Sequence, residues 1–120
     1  MTDSAAPTRL YVGTYTSPQS HSPAPTGRGV HVLDFDAETG TLGSATLAAP
    51  LDNPSFLARG ADGTVYAVLE EDEGRVVALR PSGDGRTLTS LGGRSTRGSA
   101  PAFVSVTPEG RLVLVATYGG

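Results

Sequence analysis

Few side chains in this 120-residue chain are equipped for chemistry. Cysteine is absent, and all nine basic residues are arginine. Disulfides, thiolate nucleophiles, cysteine metal sites and lysine-based Schiff-base or P-loop chemistry are thereby excluded. The densest titratable set is Glu70-Glu71-Asp72-Glu73. Glu70 closes an alternating apolar stretch, where a carboxylate can take a proton from water, although on the residues alone one more solvated acid in a hairpin loop is the commoner case. Carboxylates this close in sequence, without a looping glycine spacing, do not converge on a divalent cation, so neither metal nor cofactor is expected. Asn53 stands before Pro54, where it either donates a hydrogen bond to a bound carbonyl or starts an Asn-Pro turn. Arg94 and Arg97 can clamp a phosphate through paired N–H donors, or remain solvated. His21 lies in the loop SPQSHSPAPTG, and His31 alternates with Val30 and Val32, so neither is assigned a catalytic role.

These groups need a scaffold, and the pattern names one. Short, β-branched, alternating runs predict strands at 10–16, 29–35, 55–59, 64–70, 75–80, 87–92, 102–106 and 111–117. Turn signals separate them, including Ala61-Asp62-Gly63 and Pro108-Glu109-Gly110, where glycine tolerates positive φ. No helical pattern competes. The stretch PSFLARGADGTVYAV (54–68) aligns without a gap on PAFVSVTPEGRLVLV (101–115). Leu10-Tyr11-Val12 matches Val65-Tyr66-Ala67, Val30 to Leu33 matches Val76 to Leu79, and Leu42 matches Leu88. A repeating four-stranded unit of roughly 40–50 residues is the signature of a β-propeller blade. The reading is therefore all-β: four-stranded antiparallel blades after a disordered tail at 1–8. Strands b to d of one blade fall at 9–49, a second blade at 54–93, and the start of a third at 101–120. Propellers close with about four to eight blades. These residues encode about two and a half, so the missing blades are expected from the rest of a longer chain.

Blade geometry sorts the loops onto two faces. The loops that enter strand a and those that follow strand b share one face: 15–27, 52–54, 70–74, 94–101 and 118–120. The tight turns at 61–63 and 108–110 lie on the other. A net charge of −3 with no basic stripe excludes nucleic-acid binding. No apolar run is long enough to span a bilayer, and MTDSAAPTRL lacks the features of a secretory signal, so a cytoplasmic location is expected.

The strings LYVGTYTS, GRGVHVLDFDAETGTL, NPSFL, YAVLE and PAFVSVTPEGRLVLVATYGG, in this order and spacing, resemble the lactonase family of seven-bladed propellers of the 6-phosphogluconolactonase type. The resemblance covers nearly everything from residue 9. It implies hydrolysis of a sugar lactone in the pentose phosphate pathway, with Glu70 matching the glutamate of an Asn-Glu motif and Tyr118 the tyrosine of Ala-Asn-Tyr-Gly. Glu70 would then activate water against the lactone carbonyl. Asn53 and Tyr118 would bind the substrate; the resemblance lends no role to Arg94 and Arg97, whose phosphate clamp rests on residue type alone. The chain departs from the family at Leu69 and Thr117, where asparagine is usual, and at Phe103, where a Pro-Cys-His motif places histidine. Those departures favour an alternative, a non-catalytic binding or scaffold propeller; a third reading is a relative of the lactone-forming muconate cycloisomerases, a sister branch of the same fold.

Overall fold

The computed structural model describes residues 8–120; positions 1–7 of the expected tail lie outside the described residues, and Thr8 opens the first strand. Among the described residues there are ten strands and no helix: β1 Thr8–Val12, β2 Gly29–Asp36, β3 Thr41–Leu42, β4 Thr46–Pro50, β5 Pro54–Arg59, β6 Val65–Leu69, β7 Arg75–Pro81, β8 Leu88–Ser95, β9 Pro101–Val106 and β10 Val113–Thr117. They form three antiparallel sheets. The first joins β1 to β2, with β3 and β4 both paired to β2 as one interrupted outer strand. The second runs β5-β6-β7-β8 in chain order, and the third pairs β9 with β10. This is the blade architecture of a propeller, present as two and a half blades.

The main core lies between the first two sheets. Val30, Val32, Ala48 and Ala49 face Val65, Ala67, Leu69, Val77, Leu79 and Leu88. β6 is covered on its other side as well, where Val68 is buried, as are Val104 and Pro101 of the third sheet. A strand covered on both faces must be apolar nearly throughout, which accounts for the sequence VYAVL. Polar contacts at the same seam are secondary. Tyr11 donates to Gly85 O at 2.7 Å, and Arg86 pairs with Asp34 at 2.7 Å with both side chains about 40% exposed. Such a pair contributes about 0–1 kcal/mol, whereas truncating one buried leucine such as Leu79 costs about 2–5 kcal/mol.

Two expectations need correction. The gapless alignment of the two repeats fails after the turn. The first hairpin closes from Gly60 N to Thr64 O, the second from Thr107 N to Leu112 O, one residue longer. Phe56 pairs with Val68 but Phe103 with Ala116, so Val68 corresponds to Ala116 and not to Val115. The strand expected at 87–92 runs on to Ser95, because an irregularity opposite Ala78/Leu79 lets pairing continue through Gly92 and Gly93. Arg94 therefore lies within β8, opposite Val76, and not on a loop.

Candidate functional site

The site is built at one corner that both repeats share. Pro54 faces Leu69 and Phe56 faces Val68, so Ser55 is an extra, bulged residue. The same bulge recurs at Ala102, between Pro101 facing Thr117 and Phe103 facing Ala116. The residue before each proline is left-handed, with φ 48° at Asn53 and 53° at Ala100. Its carbonyl accepts the N–H of the residue that follows the second strand: Glu70 to Asn53 at 2.9 Å, Tyr118 to Ala100 at 2.8 Å. Bulges re-aim side chains. Here the bulged Ser55 donates its hydroxyl to Glu70 Oε1 at 2.6 Å.

A second hydroxyl reaches the same oxygen. Tyr15 donates to Glu70 Oε1 at 3.0 Å from the loop after β1. Both bonds fall on Oε1; among the described residues no donor reaches Oε2. The register explains why Tyr15 is there. Tyr11 pairs with Val32 as Tyr66 pairs with Ala78, so four residues further on Tyr15 takes the place that Glu70 has in the next blade. Tyr15, Glu70 and Tyr118 thus occupy one equivalent position on three successive blades. Tyr118 projects into solvent at 82% exposure. Sequence reasoning missed Tyr15 and Ser55. Carrying the Tyr11–Tyr66 match four residues onward would have found the first.

Burial first, and then the hydrogen bond and charge of Glu70, push the Tyr15 phenol above its ordinary value, so Tyr15 is a persistent donor at neutral pH. The Tyr15 ring also lies 4.9 Å from that of His21, in a tilted arrangement. His31 accepts the Arg28 N–H at 3.2 Å on Nε2, a contact within its own hairpin entry.

Asn53 is fully buried and holds the corner together. Its Oδ1 accepts the N–H groups of Thr16 at 2.8 Å and Ser17 at 3.2 Å. Its Nδ2 donates to Ser17 Oγ at 2.9 Å and Glu71 Oε2 at 2.8 Å, and its N–H reaches Thr16 Oγ1 at 3.1 Å. Every hydrogen-bonding site of the amide is in use. Gly13 allows this close approach, since a Cβ there would collide with the Pro54 carbonyl. The expected substrate-binding amide is thus wired between loops, and what it fixes is the position of the Tyr15 loop against Glu70.

The arginines stand apart. β8 is two strands beyond β6, a lateral distance of about 10 Å, which puts Arg94 at the outer edge of its blade. Arg97 lines an open cleft of about 530 Å³ with Asp72, Glu73 and Arg75. Phe103 packs against Phe56 in a tilted arrangement with ring centroids 5.0 Å apart, which makes the adjoining inner-strand surface aromatic.

Comparison with known proteins gives one answer. The family model for lactonase, seven-bladed β-propeller, matches residues 9–120. A 6-phosphogluconolactonase of Bacillus subtilis is 32% identical over 110 residues, which cover 90% of this chain and 30% of that protein. One from Formosa agariphila is 24% identical over 113 residues, 91% of this chain and 30% of its own. Among solved structures, the periplasmic gluconolactonase of Pseudomonas aeruginosa superposes with a TM-score of 0.80 at 28% identity, over 92% of this chain and 31% of that one. A Lactobacillus plantarum protein gives 0.75 at 32% identity, over 92% and 30%. The chain spans about 30% of the length of the curated relatives it matches.

Proposed function

Because the chain belongs to the lactonase family of seven-bladed β-propellers, we propose that the whole protein hydrolyses a sugar lactone with Glu70 as general base. Water attacks the ring carbonyl carbon, and Glu70 Oε2 takes its proton. The carbon–oxygen ring bond then breaks, and the proton ends on the departing ring oxygen, giving the open hydroxy acid. Water is the one co-reactant the step needs. The observation that carries this reading is the asymmetry of Glu70: two hydroxyls orient it through Oε1, and Oε2 is left available. General-base assistance of this kind contributes roughly 10²–10⁴-fold in rate.

The names of the relatives favour 6-phosphoglucono-lactone, and a cytoplasmic location belongs to the same proposal. Tyr118, at the same blade position as Glu70, is proposed to contact the sugar. Asn53 serves as a positioning residue through the Tyr15 loop and Glu71. Arg94, on the edge strand, and Arg97, beside Asp72 and Glu73, would have to reach a substrate phosphate from the rim of the site. The aromatic pair Phe56–Phe103 favours a second reading, a propeller that binds an apolar ligand without chemistry.

A lactone panel separates these readings. The whole protein is expected to turn over 6-phosphoglucono-lactone well above the uncatalysed rate. Reaction only with glucono-lactone would change the substrate, and formation of a lactone from muconate would move the protein to the cycloisomerase branch. Silence across the panel would leave the binding propeller.

A further inference from the structure

The seam between the first two blades opens at its other end, away from Glu70, into a cleft of about 650 Å³ lined by Arg9, Tyr11, Arg59, Asp62, Thr64 and Arg80. Arg9 lies on β1, Arg59 ends β5 and Arg80 lies near the end of β7, so three strands deliver guanidinium groups to one concavity. The chain carries net −3, yet the charged side chains lining this cleft are three arginines and one aspartate. Arg9 sits 3.5 Å from Asp34 Oδ1, but Asp34 is already engaged by Arg86 at 2.7 Å. Arg59 and Arg80 form no ion pair among the described residues. The Asp62 carboxylate is occupied in its own turn, accepting the Thr64 N–H at 3.0 Å. Asp84, nearby, likewise accepts from Ser82 and Arg86 within its turn.

We infer that this cleft is an anion site for a small phosphate-bearing ligand, separate from the Glu70 site. Guanidinium groups bind phosphate oxygens through paired N–H donors. Like charges held in one cleft repel, and a bound dianion removes that repulsion. The volume falls within the range of small-molecule sites, roughly 300–1,000 Å³. The Tyr11 hydroxyl is committed to Gly85 O, so recognition rests on the arginines. Tyr11 records their proximity: burial pushes its phenol up, while Arg9 and Arg59 pull it down.

The test is titration of the protein with pyrophosphate at constant ionic strength, read by calorimetry and by NMR shifts of the arginine side chains. Saturable binding is expected. Arg59→Gln with Arg80→Gln should weaken it about tenfold or more, and Asp62→Asn should tighten it several-fold. Glu70→Gln and Arg94→Gln should leave it unchanged. If the double variant fails to fold, either exposed arginine changed singly gives the same readout at smaller size. Binding that never saturates, that survives the arginine changes, or that falls equally in Arg94→Gln or Glu70→Gln would overturn the assignment.

Discussion

Two corners of this molecule share a backbone and differ in nearly every side chain that matters. At 53–56 and at 100–103 the chain makes a left-handed residue, a proline, a bulge and a phenylalanine. It then closes the corner with one N–H···O bond from the end of the next strand. The first corner reads Asn53, Ser55, Glu70, and the second Ala100, Ala102, Tyr118. In the first, an amide wires two loops and two hydroxyls hold a carboxylate. In the second, alanine replaces both donors. The backbone device belongs to the blade, and the proposed function rests on three positions grafted onto it.

The comparison can be broken by making one corner like the other. Asn53→Ala copies Ala100 and should have the largest effect on stability. It strips partners from the Thr16 and Ser17 N–H groups and from Glu71, at a cost of about 3 kcal/mol in chemical denaturation. Turnover by the whole protein should fall with it, because the Tyr15 loop loses its anchor. Ser55→Ala copies Ala102 and should lower kcat about tenfold while costing only about 1 kcal/mol of stability, since one hydrogen bond to Glu70 is lost.

Tyr15→Phe should act similarly on rate and adds a pH signature. The folded state holds the phenol above its unfolded value, so this contribution is full below about pH 10 and is lost as pH rises through the raised value. Wild type and Tyr15→Phe should therefore converge in stability at strongly alkaline pH; a constant gap there would remove the hydrogen bond from the account. The smallest effect belongs to Ala100→Gly. Relief of a left-handed alanine should stabilise by about 0.5 kcal/mol after the entropic cost of glycine.

Much of this architecture was legible because blades alternate, turn at Asp-Gly or Glu-Gly, and repeat. The register of the last hairpin was not. Leu112-Val113-Leu114-Val115 is apolar without a break, so either offset satisfies the alternation, and matched turn glycines at 63 and 110 hid the extra residue. Pairing, which depends on hydrogen bonds across the sheet, decided it. The outer strand was cut short because Gly92-Gly93 imitates a turn. Glu70 was singled out from its place at a strand end. Ser55 escaped because a bulge has no composition of its own, and the wiring of Asn53 escaped because a sequence cannot show which partners an amide meets across loops.

The most direct test of the account is kcat/KM of the whole protein on 6-phosphoglucono-lactone, wild type beside Glu70→Gln, with thermal unfolding recorded for both. The prediction is a loss of roughly 10²–10⁴-fold with unfolding little changed. Equal kcat/KM for the two proteins would contradict a base at Glu70.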